Sequence, residues 1–140
     1  MTPEEANKAL VLRMEDEIFN HRNLAAIDEF VAPAYVLRTA PAGTPADREA
    51  VRASMSMYLA GFPDLHVTVD ELIAVEDKVV ARLTYSGTHD GDLFGIPPTN
   101  KRISVGQIAI YRIEAAQVVE EWEVSDQLGL LQQIGAMSQQ

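Results

Sequence analysis

Asp126 and His89 are the side chains in this 140-residue sequence best suited to moving protons. Asp126 ends a β-type run, and strict alternation puts Trp122, Val124 and Asp126 on one face. If that face is concave, the carboxylate lies in an apolar cavity beside an indole. Desolvation there raises its pKa toward the neutral range, where a carboxyl exchanges protons efficiently. The same position also suits a cap for a short C-terminal helix starting near Leu128. From the residues alone both readings stand. His89 closes an earlier run, either at a cavity mouth as proton carrier or orienting partner for Asp126, or as a loop histidine bonded to backbone near Gly91. Trp122, Phe62, Phe94 and Tyr85 are the aromatic side chains placed to line such a cavity, and Trp122 serves equally well as core. Glu121 and Glu123 read as a solvated face. Arg82 and Arg112, inside apolar runs, read as outer-face or interface residues before anchors for an anion.

Other chemistries are not written in the chain. It has no cysteine, hence no disulfide, thiolate metal site or cysteine nucleophile. Histidines at 21, 66 and 89 form no local ligand pair, so no metal site is expected. No phosphate loop, dinucleotide fingerprint or nucleophile elbow occurs, and no cofactor is expected. The formal charge of −10 disfavours nucleic acid and anionic membranes. No apolar run approaches the roughly 20 residues that cross a bilayer, and the N-terminus lacks a signal-peptide pattern, which predicts a cytoplasmic protein.

The elements that must position these residues fall into two halves. Thr2-Pro3-Glu4-Glu5 is a helix start with a capping box, and Ala6, Leu10, Met14 and Ile18, with Val11, make one apolar stripe. Asn20–Asn23 interrupts it. Asn23 can cap a second helix carrying Leu24, Ile27 and Phe30, which Pro33 ends. Tyr35–Leu37 is a short strand candidate, residues 40–46 are loop, and a third helix from Pro45 or Asp47 closes at Gly61 and Pro63. From Asp64 the period becomes two. Long runs at 65–75, 78–88, 102–113 and 117–126 predict a strongly twisted antiparallel meander. One domain over residues 1–140 is expected, of class α+β, with three N-terminal helices wrapping a curved antiparallel sheet into a cone. Its open mouth is a natural small-molecule pocket. The alternations Val79/Ala81/Leu83/Tyr85 and Ile108/Ile110 supply more apolar positions than one small cone needs, which predicts a homodimer through the convex face.

Three segments resemble the SnoaL-like polyketide cyclase family, of the nuclear-transport-factor-2-like superfamily. They are Gly61-Phe62-Pro63-Asp64-Leu65; Gly87-Thr88-His89-Asp90-Gly91 running through Leu93-Phe94-Gly95-Ile96-Pro97-Pro98-Thr99-Asn100-Lys101; and Glu120-Glu121-Trp122 with Asp126 and Leu128-Gly129-Leu130-Leu131-Gln132-Gln133. The resemblance runs from about residue 8 to 135. It implies a cone fold and a cofactor-independent ring closure by intramolecular aldol reaction on a hydrophobic carbonyl compound, with an acidic residue as general acid/base. It favours Asp126 as proton carrier and His89 as its partner, and it makes Phe94 the tip of a gating loop. The rival expectation is a non-catalytic ligand-binding or dimerisation module, since the fold hosts many functions. Two departures stand out. Asn100 occupies a common glycine position, where asparagine tolerates positive φ. Arg38 replaces a frequent histidine, which would put a fixed positive charge against the substrate if that position lines the pocket.

Overall fold

The computed structural model describes residues 1–137. Helix α1 spans Pro3–Glu15, with the Thr2 side chain accepting from the Glu5 amide and proline in the first turn. It runs straight into a π-helical turn, Asp16–Asn20. The Asn20 amide ends that turn by pairing with Val67 in both directions, at 2.8 and 3.2 Å, as another strand would. A 3-10 turn at Leu24–Ala26 leads to α2, Ile27–Phe30. Asn23 stands before that turn but makes no side-chain cap. Helix α3 is Arg48–Gly61, capped by Asp47 on the Ala50 amide, and α4 is Gln127–Gln133.

The strands are β1 Val31–Leu37, β2 His66–Val75, β3 Lys78–Thr88, β4 Arg102–Glu114 and β5 Gln117–Ser125. They form one sheet in the order β1-β5-β4-β3-β2. The meander is antiparallel, but β1 lies parallel to β5, so the sheet is mixed rather than wholly antiparallel. Strand β1 begins four residues earlier than its apolar triplet suggests and contains Pro33. Its pairing with β5 is interrupted between Val31 and Val36, which accommodates a residue with no amide proton on an edge strand.

Helix α1 packs on β2 and β3, α3 on β1, and α4 on β4. One continuous core joins helices and sheet, with Val11, Ile18, Ile27, Phe62, Val79 and Leu83 fully buried. The β4–β5 turn is Ala115-Ala116, both at positive φ (49° and 61°), the conformation that Asn-Gly satisfies without strain. Asn100, at φ 58°, keeps the turn it was expected to keep. Among the described residues no helix is long and apolar enough to cross a membrane.

Candidate active site

The concave side of the sheet, roofed by α1, α3 and the 38–46 loop, encloses a cavity of about 280 Å³. Its wall is mainly apolar, with Ile18, Met55, Phe62, Val105 and Leu130 among the contributors. Three carboxyl groups and four tyrosines interrupt that wall: Glu15, Glu121 and Glu123, with Tyr35, Tyr58, Tyr85 and Tyr111. No lysine, arginine or histidine of the described residues lines it.

A one-residue irregularity in β5 puts the carboxylates there. Ile113 of β4 pairs with Val118, while its neighbour Arg112 pairs with Glu120, so Val119 is an extra residue. This bulge reverses the alternation. Val118 faces the cavity, and so do Glu121, Glu123 and Ser125, whereas Glu120, Trp122 and Val124 face outward. Strict alternation from Val118 gives the opposite assignment. Glu121 and Glu123 are therefore not a solvated face.

Glu121 is only 7% exposed. Its Oε1 accepts a 2.6 Å hydrogen bond from the Tyr35 hydroxyl, and the Glu123 carboxyl, which accepts from Gln107, is its charged neighbour on the same strand. Two neighbouring carboxyls resist ionising together. Burial first, then the neighbouring Glu123, holds Glu121 well above the usual carboxylate range; the Tyr35 bond opposes this. Glu15 enters from the end of α1, 2% exposed, with Oε1 accepting from Tyr111 at 2.6 Å and Oε2 from Tyr85 at 3.2 Å. Burial raises it to about 7, the two phenols pull it down, and Glu123 adds to the rise. Tyr85 and Tyr111 are pushed well above their ordinary value, chiefly by burial and then by Glu15, so both stay protonated.

Glu15 had a signal in the sequence. Val11, Met14, Glu15 and Ile18 fall at i, i+3, i+4 and i+7, one face of a helix, and the glutamate sits inside the apolar stripe.

Of the expected site residues, Phe62 and Tyr85 line the cavity. The others lie elsewhere. Asp126 is exposed and caps α4, its Oδ1 accepting from the Gly129 amide at 2.8 Å. A Cβ on Gly129 would stand 2.2 Å from Asp126 Oδ2, so that glycine makes room for the cap. Trp122 is on the outer face for the reason just given. Arg38 is drawn to the outer face by Glu120, Nε to Oε2 2.7 Å, in a network with Arg112. Phe94, 54% exposed at φ 50°, is outside the cavity lining but rests edge-on against Tyr58, centroids 5.4 Å apart.

His89 is completely buried and does not line the cavity. Its Nδ1 meets Thr99 Oγ1 at 3.0 Å, and its ring lies 5.6 Å from that of Phe62. It belongs to a clasp that ties α3 to the end of β3. The Asp64 carboxylate accepts from the Thr88 amide at 2.7 Å and hydroxyl at 2.9 Å, and Gly61 O accepts from the amides of Asp90 and Gly91. A Cβ on Gly91 would lie 2.0 Å from Ala60 O, closer than any side chain allows. Two of the three motif segments thus meet each other at the cavity wall, to which the first contributes Phe62 and Leu65.

The cap assignment has a direct consequence. Asp126→Asn is expected to change stability by less than about 0.5 kcal/mol and to leave activity intact, whereas Asp126→Ala costs about 1 kcal/mol. Urea unfolding of both variants checks this; a large loss of activity in folded Asp126→Asn would return Asp126 to the chemistry.

Among the described residues, no three histidine, aspartate or glutamate side chains are grouped to hold a metal ion. The titratable groups of the cavity are carboxyls and phenols, suited to passing protons within a mainly apolar space, and Thr44, Ser54, Gln107, Ser125 and Gln127 add hydroxyls and amides.

The same architecture occurs in solved structures. TsrD from Streptomyces laurentii is 30% identical, with TM-score 0.85, covering 98% of this chain and 100% of its own. AclR from Streptomyces galilaeus, a candidate hydroxylase, is 29% identical with TM-score 0.87, covering 98% of this chain and 85% of its own. IdmH from Streptomyces antibioticus, a candidate polyketide cyclase, is 29% identical with TM-score 0.80, over 92% and 98%. No curated protein sequence matches the chain significantly. The sequence profile of SnoaL-like polyketide cyclases matches residues 9–134, which takes in both the clasp and the bulged strand carrying Glu121. With that span matched and the cone around it the same, the chain belongs to the SnoaL-like polyketide cyclase family.

Proposed function

We propose that this protein is an acid/base enzyme, working without a cofactor, that acts on a hydrophobic carbonyl compound by intramolecular aldol closure or a related isomerisation or hydrolysis. The observation that carries the reading is Glu121, buried against Glu123 and Tyr35 in a mainly apolar cavity. The ionised member of the Glu121–Glu123 pair takes a proton from the carbon next to a substrate carbonyl. The resulting enolate carbon attacks a second carbonyl of the same molecule. One C–H bond breaks, one C–C bond forms, and the carboxyl returns its proton to the new alkoxide, so atoms balance with no change of oxidation state. The aliphatic and aromatic wall folds the substrate and excludes water, which strengthens each polar contact inside. AclR and IdmH carry different candidate activities, so the reaction is argued from these carboxyls rather than from the fold.

The first half-reaction is measurable without knowing the substrate. In D2O, hydrophobic aryl alkyl ketones, methyl esters and polyketone mimics should gain deuterium at the α-carbon faster with enzyme than in buffer, read by mass spectrometry. No acceleration with any member of the panel would count against the reading.

The outer face supports a second copy of the chain as partner. Register pairs Ile73 with Val80, Val80 with Ile110, and Ile110 with Trp122, an apolar row crossing four strands, and Ile108 pairs with Val124, which is 74% exposed. A self-complementary apolar face of this kind suits a twofold dimer. Sedimentation at micromolar concentration should show twice 15.4 kDa; a species of 15.4 kDa alone would exclude the dimer.

A further inference from the structure

The Glu121–Glu123 pair uses neither Glu15 nor the two phenols bound to it, although all three line the same cavity. Hydrogen-bond inventory makes their arrangement informative. An ionised carboxylate accepts only, and each oxygen of Glu15 faces one phenol, Tyr111 at 2.6 Å and Tyr85 at 3.2 Å. In that state both O–H groups are spent on Glu15 and the phenol oxygens can only accept. A protonated Glu15 carries an O–H of its own. It can donate to one phenol oxygen, and that tyrosine must then point its hydrogen elsewhere. Tyr85 is the one to turn, because its bond is the longer. Its ring stays fixed, edge-on to Phe19 at 5.2 Å, so only the hydroxyl rotates.

We propose that Glu15 is a positioning residue that acts through Tyr85: protonated, it turns the Tyr85 O–H into the cavity to bind the carbonyl oxygen of a neutral ketone or ester; ionised, it withdraws that donor. This rests on the reading of the cavity as a carbonyl site. It also specifies the substrate class. With three carboxyls and, among the described residues, no cation in the wall, the cavity's charge repels a carboxylate or phosphate ligand. A neutral carbonyl acceptor fits, with the Tyr85 donor on one side and the Glu121 pair on the other.

The groups facing this switch are Tyr85 on β3, Tyr111 on β4, Glu121 and Glu123 on β5, Tyr35 on β1 and Tyr58 on α3. Beyond the cavity, β2 presents Asp70 and Glu71 beside Lys8 in a separate surface groove, and α2 presents Asp28, paired with Arg52, and Glu29. Arg13, on α1 itself, lies over the Phe30 ring. Burial brings Glu15 to about 7, so its proton is exchanged near neutral pH.

Acetophenone labelled with 13C at the carbonyl is the probe, with affinity from calorimetry and the carbonyl stretch from difference infrared spectra. In the wild type, binding should weaken by about tenfold between pH 5.5 and 8.5, as the protonated fraction falls. The bound carbonyl band should move to higher frequency as the donor leaves. Glu15→Gln keeps an N–H donor group and a carbonyl acceptor at every pH, so it should bind at the low-pH level throughout. Tyr85→Phe should bind weakly at both pH values, with an unshifted band. Asp126→Asn, outside the cavity, should keep the wild-type pH dependence. Wild-type binding that ignores pH, a Glu15→Gln variant that still follows it, an undiminished Tyr85→Phe variant, or no acetophenone bound at either pH would each overturn the proposal. Should Glu15→Gln fail to fold, the wild-type profile and Tyr85→Phe decide. Binding that follows pH without any α-proton exchange sinks the acid/base reading alone; exchange with pH-independent binding sinks this one alone.

Discussion

Glu121→Gln is expected to lower enzyme-catalysed α-proton exchange by roughly 10²–10⁴-fold while the protein stays folded. Glutamine has nearly the same shape, and its carbonyl oxygen still accepts from Tyr35, so the 2.6 Å contact survives. What goes is the ability to hold and release a proton in the pair with Glu123. The variant also relieves the cavity of a carboxyl that burial and Glu123 already hold well above its usual range, so stability should not fall. Loss of exchange with an unchanged urea midpoint therefore identifies a chemical role. Undiminished exchange in folded Glu121→Gln would leave Glu123 and Glu15 as the remaining carboxyls of the cavity and remove the one on which the mechanism is built. Asp126→Asn, outside the cavity, is the matching control.

The strand runs of the meander were legible because side-chain period reports directly on which residues face a core. The predicted runs 65–75, 78–88, 102–113 and 117–126 became β2 to β5 with ends displaced by one residue at most. The start of α3 was legible from cap chemistry, with Asp47 on the Ala50 amide. Strand β1 was less so. Pro33 reads as a helix terminator, and only pairing with a strand some 85 residues away makes Val31–Leu37 extended.

The site was less legible than the fold, and β5 shows why. Alternation is a local rule, and one inserted residue inverts it for everything downstream. The bulge at Val119 has no signature in a run of Val-Val-Glu-Glu-Trp. Reading without it put Trp122 and Asp126 inward and Glu121 and Glu123 outward, the reverse of what the register gives. The family motifs lie mostly in the clasp. Gly87–Gly91 and Gly61–Leu65 hold α3 against β3, and His89 is buried among them with Nδ1 on Thr99. Motifs that recur in a family report on construction as readily as on chemistry. Glu15 was the exception, a charged residue in an apolar stripe, which is costly unless the fold supplies partners. Tyr85 and Tyr111 supply them from strands 70 and 96 residues further along, beyond reach of any local pattern.

That cost gives the second large effect. Glu15→Gln is expected to stabilise the protein at pH 8 far more than at pH 5. The native carboxyl is raised from 4.5 to about 7, so between these values the folded protein holds a proton that the unfolded chain has released. Stability due to Glu15 is therefore highest below about 4.5, falls as pH rises through the interval, and is level above about 7. The shift corresponds to something on the order of 3 kcal/mol for this fully buried group. Glutamine never ionises. At pH 5 it replaces a carboxyl that is already mostly protonated, with both phenol contacts retained, and the urea midpoint should barely move. At pH 8 it replaces a buried anion, and the midpoint should rise by most of the linkage energy with an unchanged m-value. Glu121 contributes a slope of the same sign; Glu15 is one of the charges that raise it, so the difference carries the Glu15 titration together with a smaller change in that of Glu121. A difference that stays constant from pH 5 to pH 8 would mean that Glu15 titrates as an ordinary exposed glutamate. The two tyrosines would then be holding a permanent anion, and the switch at Tyr85 would lose the proton that drives it.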